Sequence, residues 1–186
     1  MSAPLAWLVG IAVLVLLWLL ILYNTLVSKR NAVNNAESGV DVQLKKRFEL
    51  IPNLVAAVKG YMAHERGLLE RLVDIRAEAL GADAGRRAEL SGEAGRAMET
   101  VFAAVEAYPE LKASAHVLHL QRSLAEIEEQ IAAARRFFNA AVTSYNDNVQ
   151  SFPASLVAGV FGFAPRDWLS AGADERSCPG TDFPRP

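Results

Sequence analysis

Residues 5–23 read LAWLVGIAVLVLLWLLILY, and of these nineteen positions only Gly10 is not plainly apolar. At about 1.5 Å of rise per residue, a helix of this length approaches the ~30 Å hydrocarbon thickness of a bilayer. No charged side chain precedes Lys29. The run is therefore expected to be a membrane anchor, marked by Leu5, Trp7, Trp18 and Tyr23. Trp7 and Tyr23 stand near its two ends, where aromatic rings suit the headgroup level; Trp18 does not follow that pattern.

A cleaved signal peptide and a buried core helix are the rival explanations. A signal peptide wants a positive n-region, a shorter apolar stretch and a small-residue cleavage site. Residues 1–4 carry no Lys or Arg, and no A-x-A follows the run. A buried core helix rarely holds so long an uninterrupted apolar stretch. After the run come Lys29 and Arg30, then Lys45, Lys46 and Arg47. Positive charge is retained on the cytoplasmic side, so the expected topology has the N-terminus out and the body cytoplasmic, at a bacterial inner membrane. A periplasmic body is the alternative. The single cysteine, Cys178, can form no internal disulfide, which fits a reducing compartment only weakly.

The formal net charge of −2 excludes a general polyanion binder, and no nucleic-acid partner is expected. Over residues 24–76, nine basic side chains outnumber six acidic ones, a local excess of three that suits anionic headgroups. An ordinary solvated helix face explains the charges beyond Arg30 equally well.

The remainder reads as helix. Val33, Ala36, Val40, Leu44 and Phe48 follow an amphipathic spacing that continues the anchor. Pro52 is expected to break or kink this helix at Ile51, with a second helix over residues 52–80. Glycines within residues 81–85 punctuate the chain, and a third helix, weakened by Gly92 and Gly95, is expected to end at Pro109 and to be most mobile in its first turns. The clearest signal is the heptad series Val117, Leu124, Ile131, Phe138, Tyr145 and Phe152, accompanied by Leu120, Ile127, Ala134 and Ala141. It predicts one long helix over residues 110–151 with a coiled-coil-like packing seam, ended by Pro153. No segment alternates like a strand. The expected fold is all-α: an N-terminal transmembrane helix followed by an antiparallel bundle of long helices. The expected divisions are an anchor at 1–27, a bundle at 28–165 and a disordered tail at 166–186.

Several short stretches resemble the LemA family: Tyr23-Asn24-Thr25-Leu26-Val27, Arg30-Asn31-Ala32-Val33, Asp41-Val42-Gln43-Leu44-Lys45-Lys46-Arg47 and Leu50-Ile51-Pro52-Asn53-Leu54-Val55. Further along, Val58-Lys59-Gly60-Tyr61, His64-Glu65, Tyr108-Pro109, Phe138-Asn139, Tyr145-Asn146, Phe152-Pro153 and Phe161-Gly162-Phe163 fit the same pattern in order. The resemblance implies one membrane anchor and a cytoplasmic helical bundle, and it implies no enzymatic activity. It also implies a part in shaping or organising membrane, as in relatives belonging to magnetosome formation, or a partnership with a membrane zinc protease. Two positions depart from the family: Glu37 stands where Trp is usual, and residues 81–95 are unusually rich in glycine.

Chemistry-bearing constellations are thin. His64-Glu65 begins like H-E-x-x-H, but Leu68 replaces the second histidine. His116 and His119 share a helix face without an evident third ligand. Glu126, Glu128 and Glu129 are expected to form a solvated face, with Glu128 available for pairing between helices. Asn139 and Asn146, seven apart beside seam aromatics, either bond between helices or face solvent. No catalytic residue, cofactor or metal is expected. Residues 152–168 are apolar but too short and broken to span a bilayer; they pack on the bundle, or bind a partner or the membrane surface. The leading functional expectation is a membrane-anchored scaffold that forms a homo-oligomer on the lipid bilayer; the alternative is an adaptor for a membrane protease.

Overall fold

The computed structural model describes residues 3–169, with side chains at all of these except 3, 5 and 6. The described chain is all helical. Its elements are α1 (Ala3–Val58), α2 (Arg66–Gly81), α3 (Ala84–Val105), the single turn α4 (Pro109–Lys112), α5 (Ala115–Gln150) and α6 (Ala154–Phe161). The chain divides into two compact units, one of Met1–Val40 with Ala132–Trp168, the other built on Asp41–Ile131. Both draw on α1 and α5.

The anchor and the first amphipathic segment are one helix of 56 residues, and Pro52 lies inside it. The break expected at Ile51 does not occur. Proline removes one backbone bond and costs about 3 kcal/mol in a helix interior. Here Pro52 faces solvent, while Phe48, Ile51, Leu54 and Val58 are all buried on the opposite stripe. Keeping that stripe in register holds the helix through the proline. The chain turns instead at Lys59 and Gly60, where the Tyr61 and Met62 amides both donate to the Val58 carbonyl, at 3.0 and 3.1 Å. The second helix therefore starts at Arg66, not near Pro52.

In the unit built on Asp41–Ile131, α2 and α3 form a helical hairpin across Ala82 and Asp83. Asp83 caps α3 by accepting from the Arg86 amide at 2.8 Å, one of the orphan donors every helix start presents. Arg87 serves the end of α2, donating to the carbonyls of Ala82 (2.6 Å) and Ala79 (3.3 Å) while also pairing with Asp41. Glu65, at the head of α2, accepts from the Tyr108 hydroxyl at 3.0 Å. Tyr108 leads into Pro109, which opens α4 at the position where a missing N–H costs nothing. The long helix expected over residues 110–151 is thus α5, which begins at Ala115, after a separate turn, and stops at Gln150.

Arg47 is the main polar occupant of this unit's core. It is 5% exposed, donates from Nη1 to the Ser91 carbonyl (2.7 Å) and Oγ (2.8 Å), and pairs through Nη2 with Glu128. Gly95 sits against it: a Cβ there would lie 3.4 Å from Arg47 Nη1. The glycine that weakens α3 on paper makes room for a guanidinium.

Candidate membrane-contact site

The candidate site lies wholly in the unit of Met1–Val40 and Ala132–Trp168. Phe152 and Pro153 follow α5, joined by a cis peptide bond, and redirect the chain into α6. This short helix, ASLVAGVF, is apolar apart from Ser155. Ala154, Val157 and Ala158 are buried, whereas Leu156, Val160 and Phe161 face outward. Gly162 ends the helix in the left-handed region (φ 71°), which a glycine enters without steric cost, and the Phe163 amide closes the cap on the Ala158 carbonyl at 2.9 Å.

That cap turns Phe163 inward, where it is buried. Tyr23 of α1 meets both aromatic rings that flank the cap: its centroid is 4.9 Å from Phe161 and 5.8 Å, edge-on, from Phe163. Both separations fall in the favourable range for aromatic pairs. Arg30 lies over the Phe163 ring, 5.2 Å from its centroid, in a cation–π contact. The residues after the cap are clamped to α5. Tyr145 donates its hydroxyl to the Ala164 carbonyl at 3.0 Å, which satisfies the polar end of a side chain only 2% exposed. Asn146 bonds the Arg166 backbone in both directions, Nδ2 to the carbonyl at 2.8 Å and Oδ1 from the amide at 2.9 Å. The Arg166 guanidinium reaches Glu37 at 2.9 Å and Asn34 at 3.3 Å, and Trp168 Nε1 donates to Thr143 Oγ1 at 3.0 Å.

Together α6 and α1 enclose a groove of about 430 Å³. Leu16, Leu19, Leu20 and Tyr23 form one wall; Leu156, Val157, Val160 and Phe161 form the other. Apart from the Tyr23 hydroxyl, no side chain lining it carries a polar atom. Nothing in it can activate a nucleophile or hold a charge, so its chemistry is that of an apolar receptor.

Trp7 and Trp18 are exposed on the anchor; Tyr23 is half-buried by its aromatic partners; the side chain of Leu5 lies outside the described set. Lys29 donates to Ser144 Oγ at 2.9 Å, Lys45 pairs with Asp41 at 2.9 Å, and Lys46 is exposed. Arg47, expected among the membrane-proximal charges, is instead a buried core residue. In the seam Val117, Leu124, Ile131, Phe138 and Tyr145 are buried, but Phe152 is 81% exposed. It lies past the end of α5, where heptad spacing no longer dictates direction. Asn146 serves the segment after α6 instead of bonding between helices. Arg166 and Trp168, which fall inside the expected 166–186 division, hold the contacts given above; the rest of that division from residue 170, Cys178 included, lies outside the described residues.

His116 and His119 are both exposed, and among the described residues no three His, Cys, Asp or Glu side chains are placed to hold a metal. Of the acidic run, Glu128 is the one taken up by Arg47. Sequence reasoning missed the Glu37–Arg166 pair, although Glu37 was conspicuous in replacing an expected Trp.

Comparison with known proteins gives a consistent set of relatives. The LemA family model matches residues 36–183. The magnetosome protein MamQ 2 of Paramagnetospirillum magneticum (strain AMB-1) is 27% identical over 178 residues, covering 81% of this chain and 65% of the relative. The magnetosome protein MamQ of Magnetospirillum gryphiswaldense is 26% identical over 172 residues, covering 78% and 63%. Protein LemA of Metamycoplasma hominis is 26% identical over 137 residues, covering 73% and 63%. The chain thus spans just under two thirds of the length of each.

Proposed function

This chain belongs to the LemA family, and we propose that it is a membrane-anchored helical scaffold that self-associates and organises or shapes the bilayer holding it, without catalysing a reaction. One observation carries this. Every residue from 7 to 21 of α1 is exposed, and one helix among those described is long and apolar enough to cross a membrane. In water this would be a contiguous apolar surface well beyond the few hundred Å² a soluble monomer tolerates. In lipid it is satisfied, because the helix bonds all of its own backbone. Lys29 and Arg30 directly after the apolar run support an inner-membrane placement with the body cytoplasmic. Two of the relatives are named as magnetosome proteins, which supports a role in building a membrane-associated assembly.

Self-association in this proposal does not use the heptad seam, since Val117, Leu124, Ile131, Phe138 and Tyr145 are consumed within the chain. It draws on apolar side chains left outside, such as Val73 and Leu80 on α2, the latter 72% exposed. The test is the mass of the full-length protein after mild detergent extraction, read by light scattering. A defined multimer is expected. A strict monomer at micromolar concentration, with a membrane protease recovered by crosslinking in cells, would replace the scaffold by the adaptor.

A further inference from the structure

We propose that α6 is a second membrane-contact element, lying in the same leaflet as the C-terminal end of the anchor, and that acyl chains of bilayer phospholipid fill the groove between them. The proposal rests on the anchor being transmembrane. Its logic is one of depth. The α1 wall of the groove is made by Leu16, Leu19, Leu20 and Tyr23, the last two turns of the apolar run. These span about 10 Å along the helix axis. An element packed on those side chains shares their depth. If they stand in hydrocarbon, so do Leu156, Val160 and Phe161.

The composition of α6 agrees. No charged residue occurs between Asp147 and Arg166, so the chain can lie ~5–10 Å into the headgroup–acyl boundary, as interfacial helices do, without burying a charge. Val160, 81% exposed, and Leu156 leave most of their apolar surface uncovered by the protein and open to an acyl chain. Two turns along α1 from Tyr23, Lys29 and Arg30 stand where phosphate groups would be, with Arg30 braced on Phe163. The groove volume lies within the ~300–1,000 Å³ typical of small-molecule sites, and its walls offer an acyl chain only apolar contacts.

Site-directed spin labelling tests this on the full-length chain in vesicles of phosphatidylcholine and phosphatidylglycerol. Cys178→Ser removes the native thiol, and nitroxides are placed singly at Val160→Cys, Leu20→Cys and Leu118→Cys, all exposed positions. Collision with oxygen, which concentrates among acyl chains, is compared with collision with a water-soluble nickel chelate. The oxygen-to-nickel ratio at Val160→Cys should match that at Leu20→Cys and stand about tenfold above that at Leu118→Cys, as insertion to interfacial depth requires. High nickel access at Val160→Cys, with Leu20→Cys still lipid-exposed, would overturn the inference and leave the anchor intact. Low access to both reagents, with dipolar broadening between labels, would show that a second copy covers the groove and would also overturn it. Nickel access at Leu20→Cys would instead overturn the transmembrane reading.

Discussion

Replacing Arg47 by Met exchanges a buried guanidinium for an unbranched apolar chain of similar reach. In the folded protein the acceptors of Arg47 include the Ser91 carbonyl, Ser91 Oγ and the Glu128 carboxylate. Ser91 is fully buried and its hydroxyl loses a charged partner, for which about 1.5–3 kcal/mol is a fair cost. Glu128 loses its counterion, but its side chain is 40% exposed and water recovers much of that loss. Breaking a fully buried pair costs about 3–5 kcal/mol, so the low end, about 3 kcal/mol, is expected here. At 1.4 kcal/mol per tenfold, that lowers the folding equilibrium by roughly two decades. Glu128→Gln leaves the buried Arg47 guanidinium without this counterion, so it too should cost about 3 kcal/mol, softened only by the oxygen acceptor that Gln retains. The assay is urea unfolding of the full-length protein in detergent, followed by far-UV circular dichroism, with the slope of the transition checked for constancy. If Arg47→Met lies within about 0.5 kcal/mol of wild type, the range of ordinary surface substitutions, then Arg47 is not a core residue. An Arg47→Met protein that is unchanged in stability but weaker in binding anionic vesicles would restore the membrane-facing role its sequence position suggested.

Other expectations follow from the same geometry. Gly92→Ala should stabilise α3 by about 0.5–1 kcal/mol, since its Cβ would meet only the flexible Arg96 guanidinium at 3.7 Å, whereas Gly95→Ala should gain less because its Cβ would touch the Arg47 guanidinium at 3.4 Å, the short end of ordinary contact; paired melting curves compare the two. Burial tends to raise the Asp41 pKa, but hydrogen bonds and attraction from Lys45 and Arg87 outweigh it and hold the carboxyl below its ordinary 3.8. Stability contributed by Asp41 is therefore present above that pH and lost as pH falls through the lower folded value; a pH series of unfolding midpoints should show a loss below about pH 4 that Asp41→Asn abolishes. Asn146→Ala removes both bonds to the Arg166 backbone and should raise hydrogen exchange over residues 163–168 while leaving α3 protected; equal change in both would refute a local clamp. Leu80→Asp should shift the detergent-extracted assembly toward smaller species by light scattering if the outer face of α2 mediates self-association.

Composition and periodicity determined a great deal of this protein. The uncharged run at residues 5–23 and the repeats at three, four and seven specify helices, their apolar faces and the seam through Tyr145, because helical geometry maps a linear spacing directly onto a face. Local rules failed where a distant partner changed the balance. Pro52 argued for a break, and the buried stripe through Phe48, Ile51, Leu54 and Val58 overrode it. Arg47 argued for a lipid-facing charge, and Ser91 and Glu128, 44 and 81 residues away in sequence, drew it into the core. Phe152 argued for a sixth heptad position, and the end of α5 at Gln150 released it. Glu37 and Arg166 carry no mutual signal in the chain, yet they pair at 2.9 Å. The groove between α1 and α6 is of the same kind: each wall is legible as an apolar stretch, but only tertiary structure sets residues 16–23 against residues 156–161. Periodicity tells a helix which way to face; it does not say what it will meet, because that depends on contacts between segments far apart along the chain.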